Sequence, residues 1–102
     1  MKQSFFVIFC SDKPNVLELR RKLRPEHRCY LREHGMALDV VLGGPTLESS
    51  ENTMNGTLLV VRAYSEDEVR EFLKHDPYVK AQLFSDVTIR PWVPGIAKEI
   101  VL

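Results

Sequence analysis

Two cysteines, 14 basic side chains balanced by 14 acidic ones, and no long apolar run set the first limits on this 102-residue sequence. Cys10 and Cys29 are too few for a disulfide framework and lack metal-ligand spacing, so reduced thiols in a cytoplasmic protein are expected. With no formal net charge, the chain has no bulk electrostatic attraction to nucleic acid or to an anionic membrane. Nothing approaches the roughly 20 apolar residues that span a bilayer. The run Phe5 to Cys10 is followed at once by Asp12, Lys13 and Pro14, which fits a buried strand better than a signal peptide. There is no internal repeat and no phosphate-binding glycine loop, because Gly43-Gly44-Pro45 has neither a lysine nor a following helix. What remains is an ordinary globular composition and one expected domain over 1–102. A chain this short buries roughly 60–65% of its unfolded surface, so good packing or a partner subunit matters.

The elements follow from periodicity. Residues 4–10 are aromatic and β-branched and read as a strand. From Asn15 to about His34, Val16, Leu19, Leu23 and Tyr30 recur at helical spacing. Pro25 should kink this helix or start a second piece, and Gly35 is placed to end it. A second strand is expected over 37–43, closed by Gly43-Gly44-Pro45, and the polar stretch from Thr46 to Asn55 reads as a site loop or lid. Gly56 to Tyr64 forms a third strand. Ser65 with Glu68 is a capping-box pattern opening a helix that buries Val69, Phe72 and Leu73. Asp76-Pro77 stops it and caps a short helical piece through Leu83. A last strand runs over 86–93, with Pro91 marking an edge.

The order β-α-β-β-α-β predicts an α+β, ferredoxin-like sandwich: a four-stranded antiparallel sheet with two helices on one face. Phe5 to Phe9, Val40 to Leu42 and Leu58 to Val61 are unbroken apolar runs, which call for cover on both faces. Two helices cover one. A second copy of the chain is the expected cover for the other, giving a homodimer through the sheet face.

Among residues that carry chemistry, His27 falls on or beside the inward stripe of its helix. It reads either as a core histidine satisfied by one hydrogen bond or as a general base. If the helix restarts at Pro25, the positive end of the macrodipole would favour the neutral imidazole a base needs. Asp76 is foremost an N-cap, but a carboxylate has two oxygens and could also orient a histidine. His34 reads as a helix-end residue, and His75 as a weaker partner for Asp76. Ser11 reads as a turn residue or a substrate hydrogen-bond donor. Cys10 and Cys29 read as unactivated core thiols, and Glu66-Asp67-Glu68 as a solvated helix start. The three histidines have no metal-ligand spacing.

Taken together, several residues resemble the YCII (YciI-like) family of the dimeric α+β barrel superfamily. They are Phe6-Val7-Ile8-Phe9, Arg24 with His27, Gly35, Gly44-Pro45, Gly56, Asp76-Pro77-Tyr78 and the closing run Phe84 to Trp92. The resemblance spans nearly the whole chain. It implies a ferredoxin-like protomer, a face-to-face dimer and a His–Asp dyad at His27 and Asp76. It also implies the family's best-defined chemistry, dehydrochlorination of a chlorinated hydroxyhydroquinone with no metal or organic cofactor. Gly44, Pro45 and Ser11 would then line the substrate site. Two positions depart from the family pattern: Gln82 stands where glycine is frequent, and Arg28 follows His27 where an apolar residue is common.

The expected activity is thus general-base catalysis on a hydroxylated aromatic or quinol substrate. The alternatives are a lactone or enol isomerase resembling the muconolactone isomerases, and a non-catalytic ligand-binding dimer module. No nucleic acid and no membrane are expected as partners.

Overall fold

Alternation in β1 (Ser4–Asp12) shows how the sheet divides the molecule. Phe6, Ile8 and Cys10 are buried, while Phe9 between them is 47% exposed. The computed structural model describes residues 2–50, 52–100 and 102. After β1 come α1 (Leu17–Glu33), β2 (Asp39–Leu47), β3 (Met54–Ala63), α2 (Glu66–Lys74), α3 (Pro77–Lys80) and β4 (Phe84–Trp92). The strands form one antiparallel sheet in the order β2-β3-β1-β4, the ferredoxin-like arrangement.

Leu59, Val61 and Ala63 of β3 join Phe6, Ile8 and Cys10 on the helix side, where Val69, Phe72 and Leu73 of α2 close the core. The register places Phe9 opposite Leu58 and Phe5 opposite Trp92, so these share the other face. Among the described residues nothing covers that face, and Leu58 and Trp92 stand exposed on it beside Phe9.

Helix ends follow local chemistry. The Ser65 hydroxyl accepts the Glu68 amide, and Glu68 returns a carboxylate to the Tyr64 amide, holding the start of α2. Asp76 caps α3 by accepting the Tyr78 amide, with Pro77 at the first helical position. Gly35, at φ +73°, follows the end of α1 in the left-handed conformation that glycine adopts most readily.

Four sequence expectations are corrected. Helix α1 continues through Pro25 without a restart; the missing amide hydrogen bond is tolerated on an exposed position of a long helix. Gly43, Gly44 and Pro45 lie inside β2 and do not close it. This strand is a sheet edge, where proline costs little and small residues permit close approach. Strands β2 and β3 therefore extend into the stretch expected to be a lid. Only 48–53 connects them, tied by the Glu48 amide donating to Thr53 and the Asn52 amide donating to Glu48; Glu51 lies outside the described residues. Finally, Cys10 is buried but Cys29 is exposed on α1.

Candidate functional site

The sheet-facing side of α1 is unusual in what it buries. Its two buried residues are Arg20 and His27. They are seven positions apart, two helical turns, and so lie on one stripe. The apolar positions Val16, Leu19 and Leu23 mark a stripe displaced from this one, and Leu19 is exposed. A polar stripe facing the sheet forms because α1 does not pack flush against β2. Between them is a cavity of about 580 Å³, lined by Arg20, His27, Gly44, Pro45, Thr57 and Tyr78 among others.

His27 Nδ1 lies 2.9 Å from Asp76 Oδ1. The same carboxylate oxygen accepts the Tyr78 amide at 2.9 Å. Both side chains are almost fully buried. A carboxylate offers only acceptors, so Nδ1 donates to it, and in the neutral imidazole the lone pair is then on Nε2. No buried side-chain nitrogen or oxygen among the described residues lacks a hydrogen bond, and Nε2 has none; it is therefore accessible, in a residue that lines the cavity. The tautomer is thus set by Asp76. The macrodipole has no part in it, since His27 stands ten residues beyond the start of α1.

Tyr78 supports this pair. Its ring stacks on the His27 imidazole with centroids 3.9 Å apart and planes 17° from parallel. The Arg20 guanidinium carbon lies 4.7 Å from the centre of the same ring. Arg20 is held in place by a bidentate ion pair to Asp12, at 2.8 and 2.9 Å, and by a 2.7 Å bond to the Thr57 hydroxyl. Burial pushes the Tyr78 hydroxyl up from its ordinary pKa, so this phenol stays protonated in the neutral range.

The other residues singled out in the sequence sort by sheet face. Gly44 and Pro45 line the cavity. Ser11 does not. It pairs with Gly56 on β3 and Asp86 on β4, on the face opposite the helices, and its carbonyl accepts the Ser85 hydroxyl. His34 is the C-cap of α1, with its Nδ1 accepting the Met36 amide. His75 pairs with Glu71 and is not a partner of Asp76. The Cys29 thiol donates to Glu33, whose carboxylate raises the thiol pKa and leaves it unactivated. Among the described residues no cluster of three His, Cys, Asp or Glu could hold a metal. Among them, too, no helix is long and apolar enough to cross a membrane.

Arg20, Thr57 and Tyr78 were not apparent as site residues in the sequence. The available signal was position 20 itself: it repeats the His27 stripe two turns earlier.

Fold and site together define a ferredoxin-like protein with a buried histidine–carboxylate pair whose histidine lines a cavity. The YCII-related domain matches residues 4–93, and the chain belongs to that family. It is similar in structure to the 5-chloro-2-hydroxyhydroquinone dehydrochlorinase of Burkholderia phenoliruptrix AC1100, solved in complex with 2,5-dihydroxybenzoquinone. That likeness has a TM-score of 0.78 and 32% identity, covering 87% of this chain and 93% of the other. An uncharacterised protein of Haemophilus influenzae strain Rd is 27% identical over 86% of this chain and 95% of its own length. The aspercryptin biosynthesis cluster protein B of Emericella nidulans is 29% identical over 91% of this chain, which spans 65% of that protein.

Proposed function

We propose that the chain is a small enzyme in which His27 and Asp76 act as a general base on a hydroxylated aromatic ring, with dehydrochlorination of a chlorinated hydroxyhydroquinone as the reaction. The observation that carries this reading is the 2.9 Å contact of His27 Nδ1 with Asp76, beside a cavity that His27 lines. The 32% identity to a dehydrochlorinase supports the choice of reaction.

The step balances without a cofactor. Two ring hydroxyls give up their protons. His27 Nε2 takes one, and a proton is delivered to the carbon bearing chlorine. Chloride then leaves that carbon with the bonding pair, and the ring becomes a hydroxyquinone. The two-electron oxidation of the quinol is matched by replacement of C–Cl with C–H, so the sum is loss of HCl. Asp76 stabilises the imidazolium formed on the way, a contribution of the kind worth about 10²–10⁴-fold. Gly44 leaves room for the ring, and Pro45 offers it an apolar face with no competing donor.

Chloride release from 5-chloro-2-hydroxyhydroquinone, followed with the appearance of quinone absorbance, tests the assignment. His27→Ala and Asp76→Asn should each fold and lose turnover. Full turnover in both folded variants would exclude the dyad. A wild-type protein that isomerises lactones and releases no chloride would exclude dehydrochlorination.

The second part of the proposal is a homodimer through the uncovered sheet face, since exposed Phe9, Leu58 and Trp92 form an apolar patch there. Light scattering should give twice the chain mass, and Phe9→Glu should halve it. The two unbonded cysteines fit the reducing cytoplasm.

A further inference from the structure

The cavity beside His27 has more positive charge on its rim than its own residues neutralise. Arg24, Arg28 and Arg32 line it from α1, spaced four residues apart and therefore on one stripe. None of the three has an ion pair among the described residues. Asp39 is the carboxylate-bearing side chain of the lining, and it pairs with Arg62 at 3.3 Å. Arg20 is already matched by Asp12. A second hollow on the far side of the same stripe is lined by Arg21, Arg24, Pro25, Arg28 and Arg32, so the cationic surface continues outward from the rim. The chain as a whole has no formal net charge, which makes this a local concentration that composition conceals.

Like charges held along one helix face are unfavourable until an anion joins them. Guanidinium groups match carboxylates in planar, bidentate geometry, and near the low-dielectric wall of a cavity such contacts strengthen. Arg24 is nearly one turn before His27, and Arg28 is adjacent to it. A ring presenting a hydroxyl to Nε2 therefore occupies the same cavity as the three guanidinium groups. The Leu31, Val40 and Leu42 side of the lining accommodates the ring itself.

We infer that the hydroxylated ring of the proposed reaction also bears a carboxylate, the natural substrate being a carboxylated relative of the chlorinated hydroxyhydroquinone, and that Arg24, Arg28 and Arg32 select for that charge. This rests on the cavity being the seat of a hydroxylated ring, and it refines the substrate class. A neutral hydroxyhydroquinone would meet the dyad but leave the rim unmatched.

Calorimetric titration with 2,5-dihydroxybenzoate and with 1,4-dihydroxybenzene tests it, at ionic strengths of about 0.01 M and about 0.5 M. The carboxylated ring should bind about tenfold more tightly at low salt. The advantage should shrink at high salt, fall to near parity in Arg28→Leu/Arg32→Leu, and persist in Arg28→Lys/Arg32→Lys. Arg28 and Arg32 are exposed and have no ion pair among the described residues, so these variants should fold, which circular dichroism checks. Equal or tighter binding of the neutral ring overturns the charge inference and leaves the dyad reading standing. A clear carboxylate preference, with full turnover in His27→Ala, overturns the dyad reading and leaves the charge inference standing. Failure of both rings to bind at millimolar concentration overturns the inference as well.

Discussion

Asp76 receives the His27 imidazole on Oδ1, the same oxygen that caps α3. Orientation of the His27 imidazole and closure of a helix are therefore one interaction network, and the two sequence readings of Asp76, as cap and as histidine partner, do not compete. The two roles are not divided between the two carboxylate oxygens; one oxygen serves both donors. The stack of Tyr78 on His27 completes the coupling, because the cap positions the residue whose ring supports the imidazole.

Substitutions at Asp76 should consequently separate stability from activity. Asp76→Asn keeps an oxygen for the Tyr78 amide and should cost less than about 1 kcal/mol of stability, while turnover falls about 10²–10⁴-fold. Asp76→Ala removes the cap as well and should cost a further 0.5–2 kcal/mol or about that. Urea denaturation with chloride-release kinetics on the same samples makes the comparison. Equal losses of stability in the two variants would show that the cap is not formed by Oδ1.

Arg20 is a buried charge whose removal should be felt beyond its own contacts. Arg20→Met leaves Asp12 buried without its guanidinium, at a cost on the order of 3–5 kcal/mol. Adding Asp12→Asn removes the stranded charge and should recover a large part of that loss, so the double-mutant cycle should show coupling of more than about 1 kcal/mol. Strictly additive losses in urea denaturation would mean that the pair contributes nothing as a pair.

Much of the architecture was legible because it depends on local rules. Strand β1 shows its apolar content, Ser65 and Glu68 announce the start of α2, and Asp76-Pro77 marks the cap of α3. The sheet edge was less legible. Gly43-Gly44-Pro45 has turn chemistry, and only its place on an edge strand, a tertiary fact, lets it continue the ladder. In the candidate site, the pairing of His27 with Asp76 was legible and the burial of Arg20 was obscure. A charged residue on a helix ordinarily faces water, and the Asp12, Thr57 and Tyr78 contacts that permit its burial come from three other elements. Ser11 was misread because alternation along β1 puts it on the face away from the cavity.

Alkaline pH should weaken the fold in a defined window. Burial, with Asp76 nearby, pushes the Cys10 thiol from 9.0 up to about 12, and burial takes the Tyr30 hydroxyl from 10.0 up to about 12. Between the unfolded values and about 12 the folded chain holds protons that the unfolded chain has released. Stability is therefore full below about pH 9 and declines as pH rises, by up to about 1.4 kcal/mol per pH unit for the buried Cys10 thiol and by less for the partly exposed, solvent-screened Tyr30. Urea denaturation at about pH 8, 9.5 and 10.5 reads the slope. Cys10→Ala should lower stability overall yet flatten the slope, whereas the exposed-site variant Cys29→Ala should leave it nearly unchanged. An unchanged slope in Cys10→Ala would remove the thiol from this account.

Gln82 occupies a position built for glycine. The Leu83 amide donates to the Tyr78 carbonyl and the Gln82 amide donates to the Val79 carbonyl, each at 3.0 Å, which is the Schellman ending of α3. Gln82 has φ +58°, where a Cβ costs roughly 1–2 kcal/mol. Glycine relieves that strain but loses about 0.5–1 kcal/mol through its freer unfolded chain. Gln82→Gly should therefore stabilise the protein by about 0.5–1 kcal/mol, equivalent to a rise in Tm of about 2–6 °C. The change leaves the hydrogen bonds of the motif in place, and Gln82 is exposed with no side-chain partner among the described residues. Asn15, at φ +61°, provides the comparison, because asparagine tolerates this region better and Asn15→Gly should gain less. A lower Tm for Gln82→Gly in differential scanning calorimetry would mean that the left-handed conformation at Gln82 stores no recoverable strain.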